Sequence, residues 1–384
     1  MSVQAEMQQD LLHRVAAVAD TLSAYADWAE QHGRLHETAV SALREVGVPR
    51  LYLPASLGGY EVAPVTCARV CGALADIDPA AAWHVMVYNA ARLMAATWPE
   101  PMVEQLWGHH PDALVAASGH TPFQGRREGD HYVVNGRNSF VSGCHHADYI
   151  MSPMLVEGEM CTVAIPAESC SIIDNWDTLG MRGTGSNDVE VVDARVPATL
   201  VAPPPDAASG CNRYYQGQLY RCPARVVFAT YVPVALSLAQ QAVHELHLLA
   251  ASKVPYASDK KLARRPLAQH HYGQALALVR GAKHYFYAAL EDVWQQAQTE
   301  QAFTDVQRAD LYLAGTHALQ SSALAVKHVI DAAGSSSLHK GMPLERIHRD
   351  METLRHHGFA NESRYANVAQ VHWGVELDYP LLLR

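Results

Sequence analysis

The sequence predicts an α+β protein, mostly α: an N-terminal helical domain, a central β-barrel-like domain and a C-terminal four-helix bundle. Three observations carry this. Apolar residues recur at steps of three and four in the first third and again from about residue 225, the spacing of helices with one buried face. Between about 113 and 200 the chain switches to short apolar runs bounded by turn residues, which is strand patterning. The length of 384 residues, 49% apolar and 18% charged, supports a large core and two or three domains. The composition shifts place the boundaries at 1–112, 113–222 and 223–384.

Leu11, Val15, Val18, Leu22 and Tyr25 share one helical face. A second helix is expected from Leu35 to Val46, stopped by Gly47 with Pro49 just beyond. Residues 64–107 read as Ala-rich helices interrupted near Pro79 and Pro99. Ala113 to Ala117 is a short apolar run. His131 to Val134 leads into Asn135-Gly136, a hairpin signal, and on to Ser139 through Ser142. Tyr149 to Val156 and Met160 to Ile165 flank Glu157-Gly158-Glu159 as a second strand pair, and Val189 to Val192 gives a further strand. A linker holding Pro203, Pro204, Pro205 and Gly210 returns the chain to helix. Periodic stretches at 234–251, 266–297, 303–333 and 344–375 then predict an antiparallel bundle.

Twenty-nine basic against 39 acidic residues give a net charge of −10, which argues against a nucleic-acid or anionic-membrane binder. The longest apolar run, Val226 to Ala239, is shorter than a membrane span and holds Thr230, Pro233 and Ser237. The opening residues from Met1 to Glu6 show no secretory signal. Seven scattered cysteines read as reduced thiols, with Cys67 and Cys71 packed one turn apart, so the chain is expected in the cytoplasm. Despite 22 histidines, no metal site is predicted. Only Glu128–His131 and Glu345–His348 have the Glu-x-x-His spacing of a di-iron bundle, and neither sits mid-helix. His244 and His247 are three apart, where a zinc-protease pattern needs four.

Single motifs leave the chemistry open. Arg182-Gly183-Thr184-Gly185-Ser186 lacks the third glycine and following helix of a dinucleotide site; alone it reads as a tight turn. Ser142-Gly143 alone reads as the end of an edge strand, and no Gly-x-Ser-x-Gly elbow supports a serine hydrolase. His357, after His356, is either a hydrogen-bonded structural residue or a group that can take a proton near neutral pH.

The ordered set of segments is more specific. Asn138-Ser139-Phe140-Val141-Ser142-Gly143 with Ala147-Asp148-Tyr149 resembles the flavin-packing strand of the acyl-CoA dehydrogenase fold. Trp176 through Leu179-Gly180-Met181 to Ser186, then Val196-Pro197, resembles the next segment. Asp331 to Ser335, Pro343-Leu344-Glu345-Arg346 and Arg349-Asp350 resemble the end of its bundle. Where dehydrogenases of this fold often carry Glu-Gly-Thr, the chain reads Leu354-Arg355-His356-His357-Gly358-Phe359-Ala360. This and the Thr-Gly-Ser ending of the arginine loop are similar to the flavin-dependent monooxygenases of the fold. Those include aromatic hydroxylases, dibenzothiophene monooxygenase and amino-sugar N-oxygenases.

The resemblance implies a two-component system. A separate NAD(P)H:flavin reductase supplies reduced FMN or FAD, O2 is the co-substrate, and a flavin C4a-hydroperoxide oxygenates a small organic molecule. It implies that Ser142 holds the flavin N5/C4a edge and that His357 deprotonates or orients the substrate. Ser118, Phe140, Val141 and Trp176 would line the ring, while Arg264, Gly334, Ser335 and Ser336 would meet the phosphate end, from a neighbouring subunit of a homotetramer. Asn89-Ala90-Ala91-Arg92 stands where some aromatic hydroxylases carry a second active-site histidine, with His84 a turn or two away. C-, N- and S-oxygenation therefore all stay open. So do a dehydrogenase-like flavoenzyme with a non-standard base and a scaffold without catalysis.

Overall fold

A computed structural model describes residues 3–204 and 212–383. The linker residues Pro205 and Gly210 lie outside the described residues. The chain forms two compact units: Met1–Asp177 with Arg182–Thr230, and Thr178–Met181 with Tyr231–Arg384. The N-terminal helices and the β domain thus share the first unit.

In the first unit, helices α1 (Val3–Ala17) and α2 (Ala19–His32) are separated at Val18, where φ is −106° and ψ 7°. The apolar face read through residues 11–25 therefore spans two helices. Helix α3 (Glu37–Val46) ends at Gly47 in the left-handed region at φ +79°, a conformation that glycine adopts without a Cβ clash. Helices α4 (Pro64–Ala75) and α5 (Pro79–Met94) each begin on a proline, whose missing N–H is harmless in a first turn. Asp78 caps α5, its carboxylate accepting from Ala80 N at 2.9 Å. Helix α6 (Glu100–Val103) runs into a single π turn at Glu104–Gly108.

Helix α5 is held to its surroundings by two buried polar side chains. Asn89 accepts from Tyr52 N and donates to the Val48 and Val85 carbonyls. The fully buried Arg92 donates to the carbonyls of Tyr88, Pro111 and Ala113 at 2.8–3.1 Å. Its guanidinium also lies 5.4 Å from the Trp107 ring. Burial lowers the Arg92 pKa to about 10, which leaves it charged at neutral pH. Asn89 and Arg92 are structural links.

The β strands form one sheet: β1 (Val115–Ala117), β2 (Phe123–Glu128), β3 (His131–Val141), β4 (Tyr149–Val156), β5 (Glu159–Pro166), β6 (Ser171–Ile173), β7 (Asn187–Pro197) and β8 (Val201–Ala202). Their order is β6-β7-β3-β2-β4-β5-β8, with β1 parallel to β4. The inward residues Phe123, Val134, Val141, Met154, Val163, Val189 and Val196 are fully buried, alternating with outward ones as strand geometry requires. Glu157-Gly158 makes the expected turn between β4 and β5, both residues at positive φ.

Asn135-Gly136 does not make a hairpin. It lies inside β3, where pairing with β7 shifts register between Val134 and Gly136. Gly136 at φ +134° absorbs that irregularity. The Asn135 side chain donates to Asp193 Oδ1 and accepts from Asp193 N across the pair. The hairpin turn falls earlier, at Gly129-Asp130, between β2 and β3.

The second unit contains most of α7 (Phe228–Ser252), then α8 (Pro266–Gln298), α9 (Asp305–Ala333), α10 (Pro343–Leu354) and α11 (Arg364–Trp373). Helix α8 buries Ala275, Val279, Ala282, Phe286, Leu290, Val293 and Ala297, a stripe at helical spacing. A Thr304/Gln307 capping box starts α9. Helix α7 is long and apolar enough to cross a membrane, but 89% of its apolar window is buried inside the protein. The single helix expected over 344–375 is instead broken between Leu354 and Arg364, and the break carries His356-His357-Gly358.

Arg92→Leu removes three side-chain hydrogen bonds and takes the donor from the Pro111 carbonyl, while Ala113 O keeps Trp107 Nε1 and Tyr88 O its helical N–H. Because an unsatisfied buried acceptor costs roughly 1–3 kcal/mol, we expect a loss of about 1–3 kcal/mol in urea unfolding. A loss below about 1 kcal/mol would show that the link is dispensable.

Candidate functional site

The end of β3 builds the most distinctive surface of the first unit. Register with β7 slips again between Asn138 and Val141, and Phe140 sits at φ +61°. That conformation is costly for a residue with a bulky side chain. Asn138, fully buried, holds it: its amide donates to Ser118 O at 3.0 Å and Ser152 Oγ at 2.7 Å, and accepts from Thr121 N at 3.1 Å. The Phe140 ring is consequently turned outward and 55% exposed. Trp176 and His120 stand edge-on to it, with centroids at 6.0 and 5.2 Å. Ser118 Oγ donates to Ser139 O at 2.6 Å.

Trp176 is positioned by a residue that the sequence did not single out. Asn187 Oδ1 accepts from the main-chain N–H groups of both Asn175 and Trp176 at 2.8 Å. Its amide nitrogen lies 2.9 Å from His145 Nε2. Ser118, Phe140 and Trp176 thus come together at one surface. Val141 is different: its side chain is fully buried in the core, so a ligand on this surface would meet only its main chain.

Two residues after Phe140, Ser142 is 6% exposed. Trp83 Nε1 donates to Ser142 Oγ at 3.1 Å, and Ser142 Oγ lies 2.6 Å from Ser186 Oγ. Ser186 Oγ is in turn 2.7 Å from Thr184 Oγ1. The Arg182–Ser186 segment is indeed a tight turn, and its two hydroxyls serve Ser142. Gly143 follows at φ +75°; a Cβ there would stand 2.9 Å from both His84 Cδ2 and Tyr88 Oη. Substitution is therefore opposed by both strain and space.

His84 lies buried beneath this turn. Its Nδ1 is 2.9 Å from Ala80 O, and burial lowers its pKa to about 3. His146, whose ring centroid is 6.2 Å away, is lowered by burial against the pull of Glu37. Burial pushes the Cys144 thiol up to about 12, so it is not a thiolate nucleophile at neutral pH.

In the second unit His357 occupies the break between α10 and α11. Its ring lies between Tyr231 and Phe359, with centroids at 5.4 and 5.0 Å. Its Nδ1 is 3.4 Å from Phe359 N. This enclosure desolvates the ring and lowers its pKa to about 4, leaving a neutral imidazole across the physiological range. Upstream, Asp350 Oδ1 accepts from Met181 N at 2.5 Å.

Gly334, Ser335 and Ser336 form a short turn after α9, with Gly334 at φ +57° and ψ −141°. Lys253, which the sequence reading passed over, binds Ala333 O at 2.6 Å and Ser336 Oγ at 2.8 Å. Its carbonyl accepts from Leu262 N, two residues before the exposed Arg264. Lys253 thus holds the 334–336 turn through its side chain and Leu262 through its carbonyl. Among the described residues, no three His, Cys, Asp or Glu side chains gather as a metal-binding group.

Residues 229–362 match the family of acyl-CoA dehydrogenase C-terminal domains. The chain is 27% identical to an indole-3-acetate monooxygenase of Acinetobacter baumannii over 347 residues, 88% of this chain and 87% of the relative. It is 26% identical to the flavin-dependent monooxygenase oxygenase subunit HsaA of Rhodococcus jostii over 372 residues, 93% and 96% of the two chains. The solved structure of XiaF from a Streptomyces species, in complex with FADH2 and glycerol, matches with a TM-score of 0.91 over 98% of both chains at 21% identity. The chain has the acyl-CoA dehydrogenase fold, and its resemblance to the flavin-dependent monooxygenases of that fold extends along nearly its whole length.

His84 and His357 fold as neutral rings with pKa values lowered to about 3 and 4, whereas unfolded histidine titrates near about 6.5. Below about pH 6.5 the unfolded chain binds the extra protons, so stability falls as pH falls, by up to about 1.4 kcal/mol per pH unit for each ring. Urea unfolding between pH 7 and 5 should show this slope, and His84→Gln should flatten it. An unchanged slope in the variant would contradict the assignment for His84.

Proposed function

We propose that this chain is the oxygenase component of a two-component flavin system. A separate NAD(P)H:flavin reductase delivers reduced FMN or FAD, and O2 provides one oxygen atom for a small organic substrate. The observation that carries this reading is the outward Phe140 ring beside Trp176, with the Ser142 hydroxyl two residues along. An exposed aromatic pair with a hydroxyl two residues along suits a fused aromatic ring whose edge carries hydrogen-bonding atoms. Supporting it are the oxygenase-subunit relative and the FADH2 in the XiaF structure.

When bound, reduced flavin supplies the two electrons needed to split O2 between substrate and water. The protein's part is positional. Phe140 and Trp176 cover the ring and keep water from it, which limits wasteful release of peroxide. Ser142 Oγ hydrogen-bonds at the N5/C4a edge. His357, neutral at working pH, accepts or holds the acidic proton of the substrate and raises its nucleophilicity. The Ser335 and Ser336 hydroxyls, with Gly334 and Arg264, meet the phosphate end.

We place the enzyme in the cytoplasm, consistent with the six described cysteines being unpaired. We further propose a homotetramer, assembled through exposed apolar side chains of the second unit such as Leu248, Leu267, Leu324 and Trp373.

The test is anaerobic mixing of the protein with reduced FMN or FAD, then an O2 pulse while flavin absorbance and peroxide are followed. Bound flavin should reoxidise more slowly than free flavin. Ser142→Ala should send about tenfold more of the O2 to peroxide, a barrier change of about 1.4 kcal/mol. His357→Ala should leave reoxidation unchanged but lower product formation about 10²- to 10⁴-fold. Reoxidation as fast as free flavin, with and without candidate substrates, would refute the proposal.

A further inference from the structure

The Ser142 hydroxyl is one end of a buried chain. Trp83 Nε1–H donates to Ser142 Oγ, which contacts Ser186 Oγ at 2.6 Å, and Ser186 Oγ contacts Thr184 Oγ1 at 2.7 Å. Ser186 is 5% exposed and Thr184 1%. An indole N–H can only donate, so Trp83 permanently fills one of the two acceptor positions on Ser142 Oγ. The three hydroxyls carry three protons, and the two hydroxyl–hydroxyl bonds use two of them. Leaving Ser186's proton unpaired in this dry interior would cost about 1–3 kcal/mol, so both bonds run the same way. Thr184 donates to Ser186 and Ser186 to Ser142, which directs the Ser142 proton out of the chain. Alternatively, Ser142 donates to Ser186 and Ser186 to Thr184, whose own proton then turns away from Ser186, which leaves an outward acceptor position on Ser142.

We propose that Ser142, Ser186 and Thr184 form a reversible hydroxyl chain, anchored by Trp83, that lets Ser142 hydrogen-bond to both redox forms of a flavin. This rests on the reduced-flavin reading above. Reduced flavin carries a hydrogen at N5, whereas oxidised flavin presents a bare N5. With the chain running inward, Ser142 accepts from N5–H; with it reversed, Ser142 donates to bare N5. No backbone movement is required, because only hydroxyl protons turn. Ser186 and Thr184 are positioning residues: each acts through Ser142.

Removing the inward proton acceptor should lock Ser142 as a donor. Ser186→Ala does this directly. Thr184→Val does it with little change of shape, since it strands the Ser186 proton, and Thr184→Ser restores the hydroxyl while removing the methyl group. The measurement is the affinity of each protein for oxidised flavin in air and for reduced flavin under anaerobic conditions, without substrate or turnover. Ser186→Ala and Thr184→Val should weaken reduced-flavin binding about tenfold, the worth of one hydrogen bond of about 1.4 kcal/mol. Oxidised-flavin binding should stay within about twofold, and Thr184→Ser should recover the reduced form. A purely structural role would move both affinities together and would be hurt more by Thr184→Ser than by Thr184→Val. That pattern, or no change in either affinity, overturns the chain while leaving the oxygenase reading intact. A wild-type protein that binds neither flavin form would refute both.

Discussion

The buried amide of Asn138 is the interaction on which the rest of the site depends. It ties the residue after β1 to β4 and to the loop at Thr121, and no other residue type could reproduce this set of one accepted and two donated bonds with the same compact shape. Those bonds hold β3 out of register and keep Phe140 in the left-handed region, at a local cost of about 1–3 kcal/mol. The return is an abrupt change of direction. Phe140 faces outward, Val141 enters the core and Ser142 reaches Trp83, all within three residues. A regular strand would send Phe140 and Ser142 to the same face. The bulge separates an apolar platform from a polar edge, which is what a flat ring with one hydrogen-bonding border needs.

The same economy appears around the platform. Asn187 uses both ends of its amide, holding two successive main-chain N–H groups beneath Trp176 and reaching His145. Gly143 clears room above His84 and Tyr88. The histidines here and at position 357 are kept neutral by desolvation. For His357 that neutrality leaves one ring nitrogen as a hydrogen-bond acceptor and the other as a donor, while the same desolvation opposes full protonation of the ring.

Much of this architecture can be read from local signals. Gly47 marks a helix stop, and Pro79 and Pro99 mark the interruptions of the helices over 64–107, because capping chemistry depends on near neighbours. Glu157-Gly158 marks a true turn for the same reason. Asn135-Gly136 misleads because its partner is the distant Asp193, and tertiary pairing with β7 outweighs the turn preference. The break at 355–363 is likewise invisible to apolar periodicity, which continues across it. Ser142 and His357 were legible only as parts of an ordered resemblance. Trp83, Asn187 and Lys253 left no local signal, since each works through partners far away in sequence, and Asn138 stood in the resemblance without a role of its own.

The most direct test of the account is whether the Phe140 platform holds the cofactor. Phe140→Ala keeps the left-handed backbone and removes only an exposed ring, so thermal stability should change little. Loss of one aromatic stacking contact, about 1–3 kcal/mol, should weaken binding of reduced flavin, measured anaerobically, by about tenfold or more. Equal affinity in wild type and variant would contradict the assignment of this surface as the flavin site.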